Sequence, residues 1–291
     1  MVVGGGPAGL SAASWLGRYR RTVLVVDSGE YRNRWTEHAH GYLGLDPVAP
    51  SDLRRRAHQQ VLAYPTVRIR PGRVDDLEGA INRFDVVVDG APIQARRVVL
   101  ATGISDAFPE VEGFFDHYGA SVFHCSSCDG YEARHKEAVV LGWGSHVAGF
   151  ACELLEWASS VTVVTEGRTF EGDAADRARL EASGIAMVED DAVALRGSRG
   201  DLRGVRLASG VEIGAQMLFF SIAHHPHTEL ASALGCTLTD EGYVAVDAEG
   251  HTSVAGVFAA GDLTPGTQLV VMAAASGATA GIHCALSLRS A

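Results

Sequence analysis

Two stretches of the chain share one order of apolar and glycine-rich positions. The first runs from the apolar pair Val2–Val3 through the turn GGGPAG and an apolar helix over about 10–19 into the strand TVLVVD, which ends at Asp27. The second begins with AVVLGWG at 138–144, continues through a helix over about 147–159 and ends in the strand VTVV. A strand, a glycine turn, a helix and a parallel strand make a βαβ unit. Two such units predict two parallel sheets, each with a crevice that suits a dinucleotide.

Shorter β-rich runs lie between and after the two βαβ units. Residues 83–103 contain an Asp-Gly turn between two β-rich runs, and residues 201–213 show a similar pattern. The segment 254–262 is typical of a strand and precedes a helix over about 268–286. The pattern as a whole predicts an α/β protein in which antiparallel hairpins accompany parallel sheets.

The composition narrows the class of protein. Hydrophobic residues make up 47% of the 291 residues, which is enough to build one large domain or two of ordinary size. The formal net charge of -11 repels nucleic acid and anionic lipid, so neither is expected as a partner. No apolar run reaches the roughly 20 residues that span a bilayer, and the glycine-rich opening lacks the basic residues of a signal peptide. We therefore expect a cytoplasmic protein without a membrane partner.

The first glycine turn has the spacing of a dinucleotide-binding loop. Gly4 permits the tight turn, Gly6 lets the backbone approach a pyrophosphate, and Gly9 lets the helix pack closely on the strand. The helix N-terminus supplies N–H groups and positive potential, and Asp27 at the end of the next strand can accept hydrogen bonds from a ribose. A preceding strand, a following helix and the acidic residue together favour a nucleotide site over a purely structural turn.

Two further motifs end strands and are ambiguous alone. The ATG at Ala101–Gly103 consists of small residues that let a backbone pass close to a bulky group. Asp262 follows Gly261 at the end of the run VFAA, where its carboxylate suits a polyol hydroxyl or caps a turn. A helix begins just beyond Gln268, and its N-terminus suits a ring edge that holds negative charge.

The segment His124-Cys125-Ser126-Ser127-Cys128-Asp129-Gly130 is the candidate redox site, with a metal site or inert thiols as the alternatives. Five cysteines, an odd number, argue against a structural disulfide framework, and C-x-x-C in a reducing compartment indicates redox or metal chemistry. Zinc needs two more ligands, and the only histidine-rich run, HHPH at 224–227, lies in a predicted hinge, so no metal is expected. Asp129 is either a proton relay for thiol exchange or a turn residue.

In this order the motifs resemble thioredoxin reductase. GGGPAG with Asp27, ATG, CSSCDG, the second glycine loop and FAAGD with Gln268 follow the family's arrangement over essentially the whole chain. The segment RNRWTEHAHGYLG at 32–44 and the FHC before Ser126 are more similar to the thioredoxin reductase-like branch. That branch includes small-molecule dithiol oxidases of the gliotoxin and holomycin type.

The resemblance implies a fold, a cofactor and roles for individual residues. It implies two Rossmann-like nucleotide-binding domains of the three-layer ββα type, with an NAD(P)H-type domain at 108–224 inserted in an FAD domain at 1–107 plus 225–291. Cys128 is expected to face the flavin, Cys125 to attack the partner disulfide, and Asp129 to act as the general acid, in a homodimer. The residues expected to hold FAD are Gly4, Gly6, Pro7, Ala8, Gly9, Asp27, Ala101, Thr102, Gly103, Gly261, Asp262 and Gln268.

The second nucleotide-type loop departs from the family pattern. The family's loop reads G-x-G-x-x-A, whereas here Val147 replaces the small residue and Trp143 lies within the turn. The family follows the next strand with His-Arg-Arg, which clamps the 2′-phosphate of NADPH, but here Glu166 and Gly167 stand there and Arg168 comes one residue later. Losing two charged hydrogen bonds and adding a like charge costs roughly a thousandfold in affinity. NADPH is expected to bind poorly. NADH is the more plausible of the two nucleotides because Glu166 can accept from a ribose, and the alternative is a domain that keeps its shape but binds no nicotinamide.

Several functions fit the sequence. The leading hypothesis is a flavoenzyme that moves electrons between FAD, the Cys125/Cys128 pair and a thioredoxin-like protein or a small dithiol or disulfide, in either direction. Without nicotinamide, ferredoxin is a candidate donor, or oxygen is the acceptor and the chain is a small-molecule dithiol oxidase. Two alternatives remain open: a non-enzymatic flavin-binding redox sensor, and an NADH-dependent reductase in which the cysteines are dispensable.

Overall fold

The computed structural model describes residues 1–289 and divides into two compact units. The first unit comprises Met1–Arg34, Gly41–Ser105 and the chain from His224 onward, and the second comprises Trp35–His40 and Asp106–Ala223. The boundaries expected from the sequence are 1–107 plus 225–291 for one domain and 108–224 for the other, with 35–40 kept in the first. This short segment groups with the second unit, where the ring centroid of Trp35 lies 5.1 Å from that of Phe115.

The helices and strands are short apart from the last helix. The strands are β1 (Val2–Val3), β2 (Val23–Asp27), β3 (Val67–Pro71), β4 (Val74–Ala80), β5 (Arg83–Val88), β6 (Ala91–Ala95), β7 (Val98–Leu100), β8 (Ile104–Asp106), β9 (Val122–Phe123), β10 (Glu137–Leu141), β11 (Ser160–Val164), β12 (Ala186–Val188), β13 (Ala192–Ser198), β14 (Asp201–Leu207), β15 (Glu212–Gly214), β16 (Met217–Phe220), β17 (His224–Pro226) and β18 (Val257–Ala259). The α-helices are α1 (Pro7–Arg18), α2 (Pro50–Leu62), α3 (Phe114–His117), α4 (Ser126–Asp129), α5 (His146–Leu154), α6 (Ala174–Ala182), α7 (Glu229–Ala233) and α8 (Val270–Ser287). Short 3-10 helices lie at Arg32–Trp35, Gly130–Ala133 and Gly261–Leu263.

The first unit is built on a five-stranded parallel sheet in the order β18-β7-β1-β2-β3. Successive residues of its strands point to opposite faces, so Val2 packs with α1 and α8 whereas Val3 packs with the antiparallel sheet β4-β5-β6. Because both faces are covered, the strands are apolar throughout rather than alternating. The unit therefore has three layers: helices, parallel sheet and antiparallel sheet.

The second unit repeats this plan. Its parallel sheet has the order β12-β11-β10-β16-β9. Ala148 and Leu154 of α5 pack on one face, and Leu202 and Val205 of the antiparallel sheet β13-β14-β15 pack on the other. The predicted fold, α/β with two Rossmann-like units, is confirmed.

The predicted hairpin at 83–103 is correct only in its first half. β5 and β6 pair across Asp89–Gly90, where both residues have positive φ, +47° and +73°, as a tight hairpin turn requires. The last run, β7, instead leaves the hairpin and lies parallel to β1. It is buried on both faces, which is typical of a central parallel strand and is not visible from a three-residue apolar run.

Helix α8 is the one helix in the described part of the chain that is long and apolar enough to cross a bilayer, by length and composition alone. In the structure one face of this helix packs against α1. A Cβ at Gly277 would lie 2.1 Å from the carbonyl oxygen of Ala8, and one at Gly281 would lie 2.6 Å from that of Ala12. Glycine at these two positions therefore sets the close approach of the two helices.

Candidate active site

The three strand-end motifs of the first unit meet at one edge of its parallel sheet. β18, β7 and β1 are neighbours and parallel, so their carboxyl ends lie side by side. The N–H of Ala101 donates to the carbonyl of Val3 at 2.8 Å, and a Cβ at Gly4 would lie 2.1 Å from the Ala101 oxygen. A Cβ at Gly261 would lie 2.7 Å from that of Ala8. The small residues of the three motifs thus allow their backbones to pack together, which sequence spacing alone does not show.

The first glycine turn has the geometry of a phosphate-binding loop. A Cβ at Gly9 would lie 1.9 Å from the carbonyl oxygen of Gly4, so only glycine lets α1 begin this close to β1. Gly6 stands at the N-cap of α1 with Pro7 in the first helical position, and no atom lies within 4 Å of where its Cβ would be. A cavity of about 230 Å³ adjoins Gly5, Gly6 and Pro7. The helix N-terminus is therefore open to an anion.

Asp27 has more partners than the sequence indicates. It is buried at the end of β2, where Oδ1 accepts the N–H of Gly29 at 2.9 Å and Oδ2 is hydrogen-bonded by the guanidinium of Arg54. His58 Nε2 lies 3.2 Å from the same oxygen, and burial, assisted by the charge of Arg54, lowers the pKa of that imidazole. Asp27 thus anchors helix α2, which the sequence analysis does not predict, in addition to any contact with a ribose.

Thr102 and Gly103 are tied to the histidine-rich run. The Thr102 hydroxyl donates to the carbonyl of His227 at 2.8 Å, and His227 Nδ1 donates to the Thr102 carbonyl at 2.9 Å. The N–H of His227 donates to the carbonyl of Gly103 at 3.0 Å. His227 therefore stabilises the ATG turn.

Asp262 and Gln268 are linked by a cation that the sequence analysis did not single out. Nη1 of Arg32 donates to Oδ2 of Asp262 at 3.2 Å and to Oε1 of Gln268 at 2.8 Å. Nε2 of Gln268 donates to the hydroxyl of Tyr243 at 3.0 Å, and that hydroxyl is also hydrogen-bonded to Nε2 of His224. In the sequence, Arg32 stood out only as part of the segment 32–44. The resemblance of that segment to the thioredoxin reductase-like branch assigned no role to Arg32.

In the second unit, Cys125 and Cys128 form a disulfide. Cys125 is the N-cap of α4, and its sulfur accepts the N–H of Cys128 at 3.1 Å. The serines between them are held by α5, because Oγ of Ser126 donates to Glu153 at 2.9 Å. Both cysteines are half-buried. The disulfide is therefore held on a short, fixed turn that remains within reach of solvent.

Asp129 follows the disulfide and is 7% exposed. Burial, assisted by the nearby charge of Glu132 and opposed by that of His40, raises its pKa to about 7. One oxygen of Glu132 lies 3.8 Å from Nε2 of His40. A carboxyl group with this pKa is present in both protonation states near neutrality, as proton transfer to and from thiols requires.

The second glycine turn is covered by side chains of its own unit. A Cβ at Gly144 would lie 2.6 Å from Cε1 of His146, whose Nε2 is 2.9 Å from the hydroxyl of Ser221. The guanidinium of Arg168 lies over the ring of Trp143, 4.1 Å from its centroid. Gly144 thus contrasts with Gly6, whose corresponding surface is open.

The carboxylate of Glu166 is hydrogen-bonded within the second unit. Its backbone has a φ of +53°, and its carboxylate accepts the N–H of Ala192 at 3.3 Å. Burial raises its pKa to about 7, and the charge of Asp191 contributes. The carboxylate that the sequence analysis offers to a ribose therefore has a partner within the unit.

Known proteins share sequence similarity with this chain over most of its length. A family model described as pyridine nucleotide-disulphide oxidoreductase matches residues 1–277. The chain belongs to the pyridine nucleotide-disulphide oxidoreductase family. Thioredoxin reductase sirT of Leptosphaeria maculans is 30% identical over 97% of this chain and 91% of its own length. A probable thioredoxin reductase of Arthroderma benhamiae is 40% identical over a shorter match, which covers 53% of this chain and 40% of that protein.

A solved structure gives the same relationship. The crystal structure of HlmI has a TM-score of 0.93 and 34% identity to this chain, and the match covers 99% of this chain and 92% of HlmI. The predicted resemblance to thioredoxin reductase is confirmed, and so is the predicted class of FAD-dependent disulfide oxidoreductase. Family membership implies FAD, and the open Gly6 turn fits the pyrophosphate of such a dinucleotide.

Proposed function

We propose that this disulfide oxidoreductase exchanges electrons between FAD, the Cys125–Cys128 pair and an external dithiol or disulfide, and that NADPH is a poor donor. The observation that carries the first part is the bonded cysteine pair followed at once by a carboxyl group whose pKa is about 7. The partner is a thioredoxin-like protein or a small dithiol. The names of the thioredoxin reductases among its relatives support the first, and ferredoxin is a further candidate donor.

The reduced cysteine pair would reduce a partner disulfide in two steps. In the reduced enzyme, the Cys125 thiolate attacks one sulfur of the partner disulfide and forms a mixed disulfide, while the other partner sulfur leaves as a thiolate that Asp129 protonates. Cys128 then gives its proton to Asp129 and attacks Cys125 Sγ, and the second partner thiolate leaves and takes up that proton. The pair loses two electrons and becomes the disulfide, and the partner gains two electrons and two protons. When bound, FAD would supply the electron pair that returns the cysteines to the dithiol, or would accept it in the opposite direction of electron flow.

The residues expected to serve FAD all belong to the first unit. Gly6 and the N-terminus of α1 would bind the pyrophosphate, and Asp262 and Gln268 would contact the polyol and the ring. The roles of Cys125 as the attacking thiol and Cys128 as the flavin-facing thiol come from the resemblance to thioredoxin reductase. The cysteine variants described below test both roles.

The covered second turn supports the proposal that NADPH binds poorly. The ring of His146 lies beside Gly144, where a pyrophosphate would need to approach the backbone, and the guanidinium of Arg168 is stacked on Trp143. Glu166 is hydrogen-bonded to Ala192, so it is also a weak acceptor for the ribose of NADH. The second unit would then serve mainly to carry and position the cysteine pair.

Absorption spectra and activity assays of cysteine variants test the roles of the two cysteines. Under anaerobic conditions, the Cys125→Ser variant should retain a single Cys128 thiolate and show a long-wavelength charge-transfer band with oxidised FAD. The Cys128→Ser variant should bind FAD equally well and show no band. The reverse pattern would exchange the two roles, and wild-type activity of either variant with a dithiol would contradict the proposal.

A second candidate function is a small-molecule dithiol oxidase in which oxygen is the final acceptor. The covered nucleotide turn favours it, because electrons from a dithiol would then need no pyridine nucleotide. Consumption of oxygen at a rate set by a small dithiol, with hydrogen peroxide formed in equal amount, identifies this direction. Reduction of a protein disulfide by the reduced enzyme identifies the other direction.

Light scattering of the purified protein tests the proposed homodimer.

A further inference from the structure

Arg32 connects two residues that the flavin is expected to contact. It lies in the 3-10 helix Arg32–Trp35, and its Nη1 reaches Asp262 at 3.2 Å and Gln268 at 2.8 Å. Its side chain is 18% exposed and that of Asp262 is 20% exposed, so the ion pair is largely shielded from water. A charged hydrogen bond in such surroundings is stronger than one at an open surface.

The contact fixes which way the Gln268 amide points. A glutamine amide offers one acceptor oxygen and one donor NH2 group, and the partners decide its orientation. Because Arg32 donates to Oε1, the NH2 group is directed to the hydroxyl of Tyr243 at 3.0 Å. Burial raises the pKa of Tyr243, so this phenol stays protonated at neutral pH.

Tyr243 is itself fixed beside the Asp262 turn. The N–H of the next residue, Val244, donates to the carbonyl of Leu263 at 3.0 Å. The Tyr243 hydroxyl is also hydrogen-bonded to His224. Arg32, Gln268, Tyr243 and His224 therefore form one continuous hydrogen-bonded chain along the turn that precedes α8.

We propose that Arg32 is a positioning residue of the flavin site, which orients Asp262 and Gln268 and raises the reduction potential of FAD through its positive charge. The inference rests on the flavin site of the proposed function and is independent of the dithiol partner. Asp262 alone would place a negative charge at the polyol of a cofactor whose ring becomes more electron-rich on reduction. Arg32 offsets that charge and so favours the reduced cofactor.

The test compares Arg32→Gln with Arg73→Gln. Arg73 belongs to the same unit and pairs with Glu30 at 2.6 Å, but its side chain is 64% exposed, so its removal changes the net charge equally without touching the network. The FAD dissociation constant is measured by fluorescence titration of apoprotein, and the midpoint potential by equilibration with a reference dye. Neither readout requires a dithiol substrate, so a wrong assignment of the partner leaves this test intact.

Arg32→Gln should weaken FAD binding about tenfold or more, because it removes hydrogen bonds made by a charged donor, and should lower the midpoint potential. Arg32→Lys keeps the charge and should fall between Arg32→Gln and wild type in both measurements. Arg73→Gln should match wild type. If Arg32→Gln does not fold, Arg32→Lys decides the question. Wild-type affinity and potential in the Arg32 variants would overturn the inference.

Discussion

At the residue scale, Asp129 determines how exchange should respond to pH. Its pKa of about 7 results first from burial and then from the charge of Glu132. If the protonated carboxyl donates to the leaving thiolate, exchange should slow as pH rises above 7. Asp129→Asn should retain the disulfide and FAD but slow exchange by about 10²–10⁴-fold and lose this pH dependence. Stopped-flow exchange rates between pH 6 and 9 measure both effects, and an unchanged rate would make Asp129 a turn residue.

The same pKa predicts a change in stability. A carboxyl group whose pKa is raised from 3.8 to about 7 stabilises the fold most at low pH, and this contribution is lost as pH rises through 7. Asparagine has no charged form to bury. The free energy of unfolding of Asp129→Asn, relative to wild type, should therefore increase between pH 5 and pH 8 in denaturant titrations. A constant difference would mean that the carboxylate is not destabilised by burial.

At the element scale, the two glycine turns explain how one fold carries an open and a covered crevice. Trp143, Val147 and Glu166 were visible as departures in the sequence. The positions of His146 over Gly144 and of Arg168 over Trp143 were not, because they depend on side-chain packing within the unit. A cation for a 2′-phosphate cannot be introduced at Gly167. Gly167 has a φ of +62°, and a Cβ there would lie 2.9 Å from Asp191, so arginine is unsuitable at this position.

Opening the second turn should therefore use other positions. The double variant His146→Ala with Glu166→Arg uncovers Gly144 and supplies a cation for a 2′-phosphate, so it should bind NADPH more tightly than wild type. The control Glu181→Arg reverses the same charge on the exposed surface of α6. Equilibrium titration with NADPH compares the three proteins, and equal affinities would show that His146 and Glu166 do not close the turn.

Close packing of α1 on α8 gives a further prediction at this scale. Gly277→Ala places a methyl group 2.1 Å from the backbone of Ala8 and should destabilise the protein by about 1–3 kcal/mol. Gly149→Ala in α5 meets nothing closer than Arg179 at 4.0 Å, so its effect should be neutral or stabilising, as helix propensity predicts. Thermal unfolding separates the two, and equal melting temperatures would contradict the close helix contact.

At the scale of the whole molecule, the sequence was sufficient for the fold class, the two parallel sheets and the cysteine pair. Glycine spacing and apolar runs are local features, so they can be recognised in the sequence without knowledge of tertiary contacts. The grouping of Trp35–His40 with the second unit, helix α2 and the Arg32 network were missed. These features depend on contacts between residues far apart in sequence. Arg32, for example, lies more than 200 positions from Asp262 and Gln268.

The central claim is that FAD in this protein receives or gives electrons through Cys125 and Cys128 rather than through NADPH. The most direct test is anaerobic spectroscopy of the flavin in purified wild type and Cys128→Ser, with a dithiol, NADH, NADPH and reduced ferredoxin added in parallel. We expect the dithiol to bleach the flavin of wild type but not of Cys128→Ser, and NADPH to act slowly on both. Rapid bleaching by micromolar NADPH, or bleaching by the dithiol that does not require Cys128, would contradict the account.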